Sequence, residues 1–276
     1  MLSTWFLPAQ RGDAMYGARG RIGLITLATD TSVLPEHARL MPPGVAVYPA
    51  PITLPRGEVT PEALAEMLST DELEQAASKL VWAGVGIIVF ACTTGSLVHG
   101  PGWDRQLIAR IERATGLPAT TTATAVLAAL QAVKASVLAV ATPYIDALNA
   151  IEHRFLEAAD FRVAAIRGLG CRTDPEIGRL GPEDAVRLVS DVDRPEADAI
   201  FISCTNWHVV EAVDAIERAT GKPVVTSNLA SAWAALRLLG ITDAISGYGR
   251  LLTLPLGTGR SALAGLQGPR EVSADD

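Results

Sequence analysis

Two cysteines stand in stretches that echo each other. Residues 86–96 read GIIVFACTTGS and residues 198–207 read DAIFISCTNW, so Cys92 and Cys204 each close an apolar run and precede threonine with small or polar residues. Two thiols on opposite faces of one carbon can take a proton off and put one on; alternatively, one adds covalently while the other handles the proton. Neither route needs a metal or an organic cofactor, and none is expected. A lone free cysteine is more often a small buried hydrophobe, and Cys171, which lacks this setting, is read that way. The repetition favours chemistry at 92 and 204. The residues that follow, Thr93 and Thr94 in one stretch and Thr205 and Asn206 in the other, add donors suited to a carboxylate or a developing oxyanion.

The apolar runs carry the β-branched and aromatic residues of buried strands. In an open α/β sheet the ligand crevice lies beyond the carboxyl ends of the strands, so the two cysteines are expected to face one cleft. Other strands are expected at 21–28, 45–50, 118–122, 136–141, 162–166 and 222–226. Helices are expected at 60–82, 105–115, 142–159, from Pro182, between Cys204 and Thr220, and at 228–239; the glycine-rich segment 95–104 reads as a loop able to act as a lid. The halves match beyond the cysteines: IERATGLP at 111–118 recurs as IERATGKP at 216–223, each before a short strand and an alanine-rich helix. The cysteines are 112 residues apart and these segments 105, so seven extra residues follow Cys92.

The fold class is therefore α/β: two pseudo-twofold-related domains, each a mostly parallel sheet flanked by helices, with the active site in the interdomain cleft. The first domain is expected at 21–134, with a helix from about 228 packing back on it, and the second at 135–240. Residues 1–20 read as a leader or arm, and 241–276 as a C-terminal segment with a frayed tail.

Composition narrows the function. Hydrophobic residues make up 49% and aromatics 5% of 276 residues, so the core is mostly Ala, Val, Leu and Ile, as in a compact α/β protein. A net charge of −7 offers no basic face to nucleic acid or an anionic membrane. A small anionic substrate is still possible, because backbone N–H groups hold anions locally. The cysteines show no zinc or disulfide spacing, which fits a reducing, cytoplasmic setting. No run is long enough to span a membrane, and the opening residues lack the apolar core of a secretory signal. No GxGxxG or GxxxxGK[ST] follows a strand, which disfavours a nucleotide enzyme. A homo-oligomer, dimer or tetramer, is expected at this size.

The segments RIGLITLATDTS at 21–32, FACTTGS around Cys92, ATPYIDALN around Tyr144, TDPEIGRL around Asp174 and ISCTNW around Cys204 occur in order over nearly the whole chain. Together they resemble the aspartate/glutamate racemase superfamily, in the branch of maleate cis-trans isomerase and arylmalonate decarboxylase, including relatives encoded with ectoine-utilisation genes. The resemblance implies that Cys92 attacks a double bond, that Cys204 manages the proton, and that Tyr144 hydrogen-bonds a substrate carboxylate. Arylmalonate decarboxylases carry glycine at the first position, so Cys92 argues against that activity. Maleate isomerases carry asparagine where this chain has Asp30 and Asp174. An ionised aspartate repels a carboxylate and accepts from amino, amide or hydroxyl groups instead. Asp30 also suits a helix cap, and Asp174 beside Pro175 a turn.

The reading is a cofactor-independent isomerase of a small carboxylate working through two cysteines, with maleate-like cis-trans isomerisation placed first. The alternatives are a racemase or epimerase of an amino-acid-like substrate, a decarboxylase of a malonate-type acid, and a non-catalytic small-molecule binding protein. His99 and His208, near the two motifs, are lesser candidates for an acid/base role.

Overall fold

The computed structural model describes residues 16–255; the expected leader, apart from its last residues, and the expected tail beyond 255 lie outside them. Among the described residues, eight strands form two four-stranded sheets in which every pairing is parallel. The first contains β1 (Gly20–Leu27), β2 (Val45–Ile52), β3 (Ile87–Phe90) and β4 (Ala119–Thr121) in the order β2-β1-β3-β4. The second contains β5 (Val137–Tyr144), β6 (Arg162–Cys171), β7 (Ala199–Ile202) and β8 (Val224–Thr226) in the order β6-β5-β7-β8. One topology thus occurs twice, and the two cysteines follow the third strand of each copy. The third strands are wholly buried, IIVF and AIFI, which explains their unbroken apolar runs. β2 runs two residues beyond its expected end at Ala50, through Pro51; a proline is tolerated there because β2 is an edge strand.

The helices are α1 (Val33–Leu40), α2 (Pro61–Leu68), α3 (Glu72–Trp82), α4 (Thr93–Leu97), α5 (Trp103–Thr115), α6 (Thr122–Ala132), α7 (Asp146–Glu157), α8 (Asp174–Ile177), α9 (Pro182–Val192), α10 (Val213–Thr220) and α11 (Ser227–Leu238). Four sequence expectations are corrected by these helices. The single helix expected at 60–82 breaks into α2 and α3: the Ser69 and Thr70 hydroxyls donate to the carbonyls of Glu66 and Met67, and Arg110 donates to the carbonyls of Leu68 and Thr70. The segment expected as a mobile loop after Cys92 begins as α4, and every residue from Thr93 to Val98 is buried. β5 continues through Tyr144, so α7 starts at Asp146 rather than at the Thr142-Pro143 step. No helix follows Cys204 directly; an irregular stretch leads to a short 3-10 turn at Val210–Ala212 and then to α10.

α11 is buried on all sides, as its alanines allow. Its Ala235 and Leu236 pack with Ile22, Leu24, Ile87 and Val89 of the first sheet, and it also lies against α6. Arg237 donates to the carbonyls of Leu254, Ile241, Asp243 and Leu252, fastening the segment after α11. Among the described residues, no helix is long and apolar enough to cross a membrane.

Candidate active site

Cys92 ends its strand as the N-cap of α4, in extended backbone at φ −148°, and is 2% exposed. The Gly95 N–H donates to its sulfur at 3.3 Å. A Cβ on Gly95 would lie 3.0 Å from that sulfur, so the absent side chain permits the approach. Thr94 Oγ1 stands 4.0 Å from the sulfur. Burial is the main cause that pushes the thiol up to about 12; the charges of Asp174 and Asp30 add to the rise, and the Gly95 N–H opposes it.

Cys204 is 8% exposed and sits at φ +113°, a conformation that costs a non-glycine residue about 1–3 kcal/mol. Its backbone N–H donates to Ser227 Oγ at 3.0 Å, and the same Oγ accepts from Thr93 Oγ1 at 2.8 Å. Ser227, the first residue of α11, therefore joins the two cysteine motifs. Burial raises the Cys204 thiol well above its ordinary value, Asp174 and Asp30 raise it further, and the Tyr144 hydroxyl beside it lowers it. Tyr144 is fully buried, with the Ser203 hydroxyl 3.4 Å from its own. A Cβ on Gly168 would lie 2.1 Å from the Tyr144 carbonyl, so only glycine fits beside this strand end.

The remaining polar candidates form the seam between the halves. Asp30 stands two residues before Ser32, the N-cap of α1, rather than at the cap itself; its Oδ1 accepts from the N–H groups of Ser32 and Val33 at 2.9 and 2.8 Å. Its Oδ2 is buried with no hydrogen-bond partner. Burial, then the charge of Asp174, pushes Asp30 up to about 7, while the Thr205 hydroxyl nearby works against the rise. Asp174 is buried too; its Oδ2 accepts from Thr29 Oγ1 at 2.6 Å, and burial raises it. Asn206, expected to offer an amide donor, has its oxygen and one amide N–H engaged. Its Oδ1 accepts from the Thr31 N–H at 2.8 Å, and its Nδ2 donates to the Asp174 carbonyl at 2.9 Å. That engagement has a simple cause: the strand ends of the two halves meet there, and buried backbone groups need partners.

The histidines near the motifs stand apart. His99 is exposed, with its ring edge-on to Trp103 at 4.5 Å, and His208 pairs with Glu211 at 2.9 Å. Sequence reading missed Ser227, Ser203, Thr29 and Glu152. Ser227 carried a usable signal, since it follows the strand-end Thr226 that caps α11. The cluster is two protonated thiols under the influence of two buried carboxyl groups, with hydroxyls around them. That arrangement can exchange protons and form a sulfur–carbon bond.

The repeated topology with a thiol after the third strand of each sheet defines a member of the aspartate/glutamate racemase-like superfamily of enzymes. Within it, the arylmalonate decarboxylase family model matches residues 22–252, and the chain belongs to that family. It is 33% identical over 227 residues to the arylmalonate decarboxylase of Bordetella bronchiseptica, covering 79% of this chain and 94% of that one. It is 28% identical over 244 residues to a maleate isomerase of Pseudomonas putida, covering 84% and 97%. A solved structure of Nocardia farcinica maleate cis-trans isomerase, a cysteine-to-serine variant with a covalently bound succinylcysteine intermediate, superposes with a TM-score of 0.79. Its identity is 25%, over 85% of this chain and 98% of that one.

Proposed function

We propose that this chain is a cofactor-independent isomerase acting on a small carboxylate by cis-trans isomerisation of a maleate-like acid. The observation that carries the reading is the pair of buried thiols at matching strand ends, joined through Ser227, in a family whose isomerase relative forms a cysteine adduct. Cys92, as thiolate, adds to one alkene carbon, and the π pair moves to the neighbouring carbon, which takes a proton from Cys204. Rotation about the new single bond follows. Cys204 takes the proton back, the carbon–sulfur bond breaks, and the trans acid leaves. Cys92 sits far above neutrality, so a base must accept its proton; Asp30 and Asp174, whose charges bear on it, are the candidates. Thr94, Thr205 and Tyr144 supply hydroxyl donors for the substrate carboxylates, and Thr93, whose hydroxyl donates to Ser227, offers its backbone N–H.

A second reading, racemisation of an amino-acid-like substrate, is favoured by one observation: the unpartnered Asp30 Oδ2 is an acceptor suited to an amino, amide or hydroxyl group. A decarboxylase ranks below both because Cys92 stands where those relatives have glycine. The three free cysteines support a reducing, cytoplasmic setting, and a homodimer or tetramer is the proposed assembly.

Incubation in deuterated water with maleate-like acids and chiral amino-acid derivatives separates these readings. Geometric isomerisation that vanishes in Cys92→Ser supports the first. Deuterium entering a stereocentre, with each cysteine variant impairing one direction of exchange, supports racemisation. Ligand binding without cysteine-dependent turnover would make the protein a binding module.

A further inference from the structure

The second half holds a buried carboxyl group that this chemistry does not use. Glu152 lies within α7 and is 1% exposed. Its Oε1 stands 2.6 Å from Ser203 Oγ, and Ser203 Oγ stands 3.4 Å from the Tyr144 hydroxyl, which lies beside the Cys204 thiol. Glu152 Oε2 is buried with no hydrogen-bond partner.

Counting protons along this chain gives it a direction. The Ser203 hydroxyl has one proton. When Glu152 is ionised it only accepts, so Ser203 donates to Oε1. The contact between Ser203 and Tyr144 then takes the Tyr144 proton, which turns away from Cys204. When Glu152 carries a proton on Oε1, it donates to Ser203, Ser203 donates to Tyr144, and the Tyr144 proton is free for the Cys204 sulfur or a substrate oxygen. A proton on Oε2 would face no acceptor, and ionisation would leave that buried oxygen charged and unpaired.

We propose that Glu152 is a positioning residue whose protonation sets the direction of the Glu152–Ser203–Tyr144 chain: Tyr144 donates toward Cys204 when Glu152 is neutral and toward Ser203 when it is ionised. The catalytic consequence rests on reading Cys204 as the acid/base partner; the hydrogen-bond chain itself does not.

The switching range falls near neutrality. Burial pushes Glu152 up to about 7, and the Ser203 bond alone opposes it. The elements packed against α7 offer Tyr144 on β5, the exposed Arg162 and Arg167 and the half-buried Cys171 on β6, and no titratable side chain on α4 or α6. Beyond the end of β7 stands Cys204. Of these, Tyr144 is coupled to Glu152, whose charge raises the Tyr144 hydroxyl.

The test is the alkylation rate of Cys204 by iodoacetamide, followed by peptide mass spectrometry from about pH 5.5 to about pH 9. It is run in the Cys92→Ser, Cys171→Ser chain with and without Glu152→Gln, and needs no substrate. Glutamine cannot ionise, and its amide can donate to Ser203 as the neutral acid does. With Glu152 present, the logarithm of the rate rises with pH, breaks to a flatter stretch near 7 and then resumes its slope on a lower parallel line; with glutamine it rises without a break. Above the break the glutamine variant reacts about 3- to 10-fold faster, the scale of one hydrogen bond to the sulfur. An unbroken line with Glu152 present, or a break that survives Glu152→Gln, overturns the proposal. An infrared difference spectrum between the two pH limits gives a second reading that does not need reagent access to Cys204. A protonated-carboxyl stretch should be present and titrate with Glu152 and be missing with glutamine; its absence when Glu152 is present likewise overturns the proposal. Failure of isomerase turnover with normal alkylation behaviour would count against the proposed function alone.

Discussion

The two cysteines hold one topological position in two different surroundings. Cys92 is an extended N-cap, and its sulfur is met by a helix N–H from Gly95. Cys204 has backbone at φ +113°, no helix directly after it, and a tyrosine backed by a serine and a buried glutamate. Much of the contrast follows from α4, the short helix that occupies the extra length after Cys92 and has no counterpart after Cys204. A repeat equates positions, but each copy is free to diverge in what it builds around its thiol. A backbone N–H aimed at sulfur favours the anion, the state a nucleophile needs. A hydroxyl chain ending in a carboxyl group favours moving a proton.

The sharpest way to break this comparison is to exchange the roles. Cys92→Ser and Cys204→Ser should each lower turnover by about 10³-fold or more. With a maleate-like acid, only Cys204→Ser should retain an adduct by mass spectrometry; an adduct on both variants, or on Cys92→Ser alone, would reverse the assignment.

The next comparison sets one carboxyl from each half side by side. Asp30 and Glu152 are both held near 7 in the folded chain, against ordinary values of 3.8 and 4.5. The folded state keeps protons that the unfolded state releases, so each group makes stability fall as pH rises from about 4 to about 7, at about 1.4 kcal/mol per unit, and then level off. His37, buried and pushed down to about 4, has the opposite sign: its stability is present above about 6.5 and lost toward 4. Urea unfolding across this range should show a shallower fall for Asp30→Asn and for Glu152→Gln than for the parent chain. Identical slopes would mean the two groups are already ionised.

Glycine provides a smaller contrast. In Gly168→Ala the new Cβ meets the backbone carbonyl of Tyr144, which has little room to move, so a loss of about 2–3 kcal/mol is expected. In Gly95→Ala it meets the Cys92 sulfur, Phe90 and Met67, which can shift, and about 1 kcal/mol is expected. Denaturant midpoints check the order. The smallest effect comes from placing glycine at each cysteine: Cys204→Gly relieves the positive φ and Cys92→Gly does not, so the first should cost less by about 1 kcal/mol.

Much of the framework was legible in the linear chain. The matched runs before Cys92 and Cys204 and the repeated IERATG segments imply two like sheets, because strand burial and helix stops are local properties. The strand end at Tyr144 was not legible: Thr142-Pro143 has the chemistry of a helix start, and only pairing with β6 keeps it extended. Nor was the break at Ser69–Asp71, which depends on Arg110 reaching across from α5.

The same division holds at the site. Composition, apolar periodicity and the doubled cysteine motif determined the fold class, the strand ends at the two cysteines and the two thiols, since each rests on neighbours in sequence. Which polar groups remained free was decided only when the halves met. Asn206 was consumed by Thr31 and Asp174, Ser227 bridged Thr93 and Cys204, and Glu152 came to rest behind Ser203 and Tyr144. Hydrogen bonding at a buried seam is satisfied by whatever the packing brings together, and partners 175 residues apart, as Thr31 and Asn206 are, leave no local trace in the sequence.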